Sequence, residues 1–284
     1  MNRRIFGIVA ALLLVPTGII VFSVGAQNHL AAQFAFGQPR PNLDWLVMLF
    51  GAVIVAAGIA AAVWSGIGVA AAGVFGVLLG LLQFLFPVSI GAFNLAAWFA
   101  RGPGGLLPRE AQEAIITFMY IGGPLTVGGL LIGAALGLSA RRRRGTGSPL
   151  WMVVGIVAVL VGIPLAIAGQ SILVYTLRTM KNDPLAAVLL ILAAVALATA
   201  AYASRGGGLA LVISGGVVAA VGLAAVLVPT LVGGPSPVVR LSQENAYVFA
   251  QGMPLLFGLL LLATGLVSLL IGRRRQDAVP ATPV

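Results

Sequence analysis

Apolar runs alternate with polar intervals along the whole chain, and each run is long enough to cross about 30 Å of hydrocarbon as a helix. The runs cover residues 5–25, 45–64, 69–86, 114–140, 150–174, 185–203, 209–232 and 246–272. This pattern predicts an all-α integral membrane protein with about eight transmembrane helices. Trp45 and Trp64 flank the second run, where amphipathic rings favour the interface. Pro87 and Pro229 are expected to end the third and seventh helices. Pro108-Arg109-Glu110 and Ser242-Gln243-Glu244 are expected to open the fourth and eighth, with carboxylates where the helix dipole favours them. Pro124 is expected to bend the fourth helix. Residues 27–44, with His29, read as a polar loop; residues 93–99 read as an interfacial segment, and 277–284 as a disordered tail.

The second half of the chain echoes the first. Gly7-Ile8-Val9-Ala10 followed by Pro16 recurs as Gly155-Ile156-Val157-Ala158 followed by Pro164. Gly73, Gly80, Pro87 and Gly91 recur with the same spacing as Gly215, Gly222, Pro229 and Gly233. Gly122-x-Pro124-Leu125-x-x-Gly128-x-Leu130-Leu131 recurs as Gly252-x-Pro254-Leu255-x-x-Gly258-x-Leu260-Leu261. Three matches in the same order predict two parallel tandem repeats of four helices, 1–147 and 148–276, joined at an arginine-rich hinge. The basic start and apolar first run also fit a cleavable leader, but the matching run at 150–174 is internal, so a retained first helix is expected.

Composition reinforces the membrane reading: 60% of residues are hydrophobic, 8% are charged, and the mean hydropathy is +1.11. The net charge of +10 sits beside apolar runs and is read as topogenic, so no nucleic-acid partner is expected. Arg3, Arg4, Arg141 to Arg144, Arg205 and Arg273 to Arg275 fall on one side; Arg40, Arg101, Arg109, Arg178, Lys181 and Arg240 fall on the other. The richer side is expected to be cytoplasmic, with both termini and the hinge there, in a cell membrane. Lys181 is the only lysine, and with the Ala, Gly and Val bias this suggests a GC-rich bacterial genome and hence a bacterial inner membrane.

The residues that carry chemistry are few. Cysteine is absent and His29 is the sole histidine, so thiolate nucleophiles, disulfides and His or Cys metal clusters are excluded. Gly66-x-Gly68-x-x-Ala71 looks like a phosphate loop but belongs to a helical hairpin, since no strand precedes it. Glu110 and Glu113 read as a solvated helix start rather than an acid and base pair. No Asp, Glu, Lys or Arg lies deep in any apolar run, whereas ion-coupled transporters and proton relays place such groups near the midplane. Gly76-x-x-x-Gly80, Gly129-x-x-x-Gly133-x-x-x-Gly137 and the series Gly155, Gly162, Gly169 are expected to serve internal helix packing rather than a dimer seam.

The expected function is that of a non-enzymatic membrane subunit or scaffold, without cofactor or metal. Its partners are the lipid bilayer and a membrane-protein partner or a second copy. The alternative is a permease or channel for a neutral or lipidic substrate. The candidate interaction site is a wet depression at the outer face formed by Gln83, Arg109, Glu113, Arg240, Glu244 and Gln251. Arg109 and Arg240 would give it a positive rim; the alternative is that they pair with neighbouring glutamates and that loop 88–107 fills the depression.

Overall fold

The computed structural model describes residues 2–34, 43–84, 101–144, 148–179, 183–228 and 243–276. Within them the chain forms ten α-helices: α1 (Arg3–Phe34), α2 (Asp44–Ala60), α3 (Ile67–Leu82), α4 (Arg109–Tyr120), α5 (Gly123–Arg144), α6 (Pro149–Thr179), α7 (Pro184–Tyr202), α8 (Leu209–Leu227), α9 (Gln243–Ala250) and α10 (Met253–Gln276). Short 3-10 turns at Ala61–Val63, Pro103–Leu106 and Ala203–Gly206 complete the described elements. Seven of the helices are long and apolar enough to cross a membrane, and α3 is a shorter apolar helix of 16 residues. The protein is therefore an all-α, membrane-embedded chain.

Local chemistry explains several boundaries. Asp183 caps α7 by accepting a hydrogen bond from the Leu185 backbone N–H at 2.9 Å, and Pro184 occupies the first turn, where an N–H has no helical partner anyway. The Gln112 side chain donates to the Leu107 carbonyl at 2.7 Å and ties the start of α4 to the preceding turn.

The sequence expectations need three corrections. The first helix does not stop near Gly25 but continues to Phe34, so His29 lies on a helix and is buried instead of sitting in a loop. Its polar neighbours misled because burial there comes from packing against other helices, which period and composition do not report. The fourth apolar run does not bend at Pro124; it breaks at Gly122, whose φ of +74° ends α4 before α5 begins. The last run breaks in the same way at Gly252, with φ +68°. Left-handed backbone suits glycine, and a proline two residues further on restarts the helix without needing an N–H. Pro87, Pro229, Arg240, the segment 93–99 and the tail 277–284 lie outside the described residues.

Packing follows a definite order. α1 lies along α2, and α6 along α7; α3 lies along α5, and α8 along α10. Contacts then cross between the two halves of the chain: α5 packs on α7, α10 packs on α2, and α5 also meets α10. α4 leans on α1, and α9 leans on α6. α5 and α10 are the central helices, with 78% and 67% of their apolar windows buried against 28–44% for the other long helices. Lipid supplies no hydrophobic drive between helices, so such enclosure requires close backbone approach. A Cβ on Gly73 would stand 2.8 Å from the Gly128 carbonyl oxygen, and one on Gly215 would stand 2.9 Å from that of Gly258. Gly129 and Gly133 face the backbone of Ala194 and Ala198 on α7. These glycines serve packing inside the chain.

The ends of the bundle differ in charge. Arg141 lies against Gly272, Arg142 reaches the Trp64 carbonyl, and Phe6 packs edge-on against Trp64 with ring centroids 5.3 Å apart, so both described termini and the hinge arginines share one end. Asp44, Glu110, Glu113, Asp183 and Glu244, the carboxylates among the described residues, occupy the other.

Glycine contact predicts opposite responses at two helix positions. Gly133→Ala should place a methyl group against the Ala198 carbonyl and lower stability by about 1–3 kcal/mol, as overpacking does. Gly216→Ala, whose added carbon would find only Leu262 Cδ1 at 3.7 Å, should be neutral or gain up to about 1 kcal/mol of helix propensity. Melting temperatures in mild detergent check this, and equal shifts would contradict the packing.

Candidate functional site

The breaks in the two split helices organise the acidic end. Within a helix the Tyr120 carbonyl would accept from the residue four ahead, but that residue is Pro124 and has no N–H. Gln83, at the end of α3 and buried, supplies the missing donor: its Nε2 lies 3.0 Å from the Tyr120 oxygen. An unmet carbonyl in hydrocarbon costs several kcal/mol, so this side chain completes the backbone of the broken span. Around the break, the Gly122 N–H donates to the Met119 carbonyl, and the Thr126 N–H donates to the Gly122 carbonyl as the helix restarts. At the second break Gly252 donates to Phe249 and Leu256 donates to Gly252.

Gln251 follows α9 directly and is buried. Its backbone N–H donates to the Tyr247 carbonyl at 3.0 Å, and its side-chain amide is hydrogen-bonded with the Tyr247 hydroxyl. It borders a cavity of about 10 Å³ with Ser23 and Gln27 of α1 and Thr117 of α4. That volume fits about one water molecule. The Ser23 and Thr117 hydroxyls are already donated to carbonyls of their own helices, whereas Oε1 of Gln27 and Oε1 of Gln251 have no protein partner.

The remaining candidates stand apart from this cavity. Arg109 is 90% exposed and forms an ion pair with Glu113 at 3.0 Å, one turn along the same helix. Such an exposed pair contributes little stability, and the glutamate offsets the arginine's charge at the rim. Glu244 of α9 pairs with Arg178 of α6 at 3.3 Å, fastening the short helix to its neighbour. Gln83 and Gln251 thus both serve the surroundings of α4, one at its last carbonyl and one beside its flank, while Arg109, Glu113 and Glu244 are in ion pairs outside.

A larger feature carries no polar signature. Between α1 and α3, with α4 and α5 behind, lies an apolar crevice of about 440 Å³. Pro16 and Ile20, Ala72 and Gly76, and Pro124 and Leu131 are among its walls, and Leu106 and Leu107 close one end. Its volume falls in the range of about 300–1,000 Å³ usual for small-molecule sites. The available signal in the sequence was the set of small residues facing one another across α3 and α5, which sequence reading assigned to packing alone.

Buried amides give a direct test of this site. Gln83→Leu should strand the Tyr120 carbonyl and destabilise the protein by about 1–3 kcal/mol. Gln170→Leu should be neutral or stabilising, because both amide atoms of Gln170 are buried without a protein partner. Thermal unfolding in detergent separates the two, and destabilisation by Gln170→Leu as large as that by Gln83→Leu would contradict the assignment. No family model, curated protein or solved structure matches this chain.

Proposed function

We propose that this chain is a non-enzymatic membrane scaffold that holds a lipid hydrocarbon chain in the lateral crevice of its first half. The carrying observation is the crevice itself: about 440 Å³, apolar almost throughout, and bordered by helices whose outer faces are exposed apolar side chains. Phe75 is both a wall of the crevice and 61% exposed, so the space adjoins the surface where lipid lies. A hydrocarbon chain from the surrounding bilayer is the occupant that this lining favours, because no ligand group would need a polar partner.

The reading includes eight spans arranged as two parallel tandem repeats, 1–147 and 148–276, related by a rotation of about 180° near the membrane normal. Paired packing supports it. Pro16 and Pro164 both lie inside the first helix of their half; Gly73 on Gly128 is matched by Gly215 on Gly258; Gly122 against Leu190 is matched by Gly252 against Met48. Counting α3 as a span gives eight. The charge difference between the ends supports placing the termini and hinge in the cytoplasm of a bacterial cell.

A permease for a neutral or lipidic substrate is the second reading, favoured by Gln27 and Gln251, which come from different halves and border one cavity. Against it, that cavity has room for about one water.

Filling the crevice tests the scaffold reading. Native mass spectrometry of the full chain should show retained lipid, and Ala72→Phe, inside the crevice, should abolish at least one adduct. Val74→Phe, 48% exposed on the outer face of the same helix, should leave the adducts unchanged. Equal retention in both variants would remove the crevice from the account, and neutral-solute flux through proteoliposomes would favour the permease.

A further inference from the structure

The arginine-rich end holds a second, chemically different recess. It lies between the last turns of α5 and the end of α7, is about 560 Å³ in volume, and is lined by Leu136, Ser139, Ala140, Arg143, Tyr202 and Arg205. Arg205 is held in place before any ligand arrives. Its guanidinium carbon sits 4.4 Å from the Trp151 ring centroid and 5.1 Å from that of Tyr202, and it donates to the Tyr202 hydroxyl. Trp151 and Tyr202 are themselves packed edge to face, with centroids 5.4 Å apart. Trp151 and Tyr202 meet at a right angle, so they form a corner that holds the guanidinium from one side, and its N–H donors lie in its own plane. One of those donors is used by Tyr202, and the fork geometry of the rest suits phosphate oxygens.

We propose that this recess binds the phosphate of an anionic phospholipid, with Arg143 and Arg205 as its cationic ligands and the Tyr202 hydroxyl beside Arg205. Two positive groups converge there, and no carboxylate among the described residues lies at that end of the bundle to neutralise them. Topogenic charge requires only that arginines lie near the helix ends; it does not require one to be seated in a corner of two aromatic rings. The recess is also amphipathic along its depth. Leu136, 55% exposed, lies nearly two turns deeper on α5 than Arg143, so a phosphate at the arginines places its acyl chains along an apolar helix face. A soluble anion makes no use of that wall, which is why the lipid is the assigned source.

The experiment uses the purified full chain in neutral detergent, titrated with phosphatidylglycerol or with phosphatidylcholine of the same acyl composition and read by native mass spectrometry. Phosphatidylglycerol should bind in preference. Arg143→Gln, at an exposed position where folding is not at stake, should weaken that binding about fivefold, and R143Q/R205Q should weaken it roughly twentyfold or more, following the usual worth of one arginine near an anionic headgroup. R273Q/R274Q removes the same charge from exposed positions at the same end and should change nothing. Wild-type affinity in R143Q, or equal losses in the two double variants, would overturn the site. If inorganic phosphate displaces the lipid and stabilises the protein as well as phosphatidylglycerol does, the recess takes a soluble anion and the lipid assignment fails.

Discussion

α5 and α10 occupy the middle of the bundle, and they fit there only because small residues let neighbouring backbones come within contact of them. Gly128 of α5 sits against Gly73 and Gly76 of α3, while Gly129 and Gly133, on its other side, sit against Ala194 and Ala198 of α7. α10 makes its close approaches on one side, with Gly258 against Ala219 of α8 and Gly265 against Gly208 of the segment leading into α8. In a bilayer the attraction between helices comes from van der Waals contact and hydrogen bonds, so these approaches set which helices can be neighbours. The crossing of α5 onto α7 follows from them, and together with the packing of α10 on α2 it ties the two halves of the chain into one body.

Enclosing a helix raises a second demand, since every backbone polar group in it must find a partner without water. The breaks at Gly122 and Gly252 are where this demand is hardest to meet. At the first, Gln83 reaches across from α3 to the carbonyl that Pro124 leaves unmet. At the second, Gln251 stands beside a one-water cavity together with Gln27. Gln83 is therefore explained by the broken helix beside it and Gln251 lies at the other break, and the absence of charge from the apolar runs is compatible with a structural role for both. The two recesses with room for a ligand lie off this axis: an apolar one on the flank, and one at the arginine-rich end that joins two cations to an apolar wall.

Much of this was legible in the sequence, and the rest was hidden for physical reasons. Long apolar runs announce membrane helices because hydrophobic length is the quantity that the bilayer selects, and the glycine spacings correctly pointed to internal packing. The breaks were missed because a glycine that permits left-handed backbone looks the same in a sequence as one that permits close approach; Gly122 and Gly128 differ only in what surrounds them. The extension of α1 through Gln27 and His29 was missed because polar residues read as loop unless the helices that bury them are known. Gln83 and Gln251 were singled out, and each lies at a helix break, but Arg109 and Glu113 pair with each other on the surface. The flank crevice was missed because small residues mark a cavity and a close contact alike, and a cavity is made by what neighbouring side chains do not fill.

The central claim is that the fourth apolar run of the first half seats on the second run of the other half. Leu136 of α5 and Tyr202 of α7 report on it without disturbing the glycine contacts, because both line one recess between the two helices and Leu136 is exposed. The chain has no cysteine of its own, so Leu136→Cys and Tyr202→Cys can be combined without background, together with a protease site inserted between residues 145 and 147. After treatment with a short, reducible bifunctional thiol reagent and cleavage, the two fragments should migrate as one species on a denaturing gel and separate only on reduction. Fragments that separate without reductant, from folded protein whose two thiols have both reacted, would contradict the crossing of α5 onto α7.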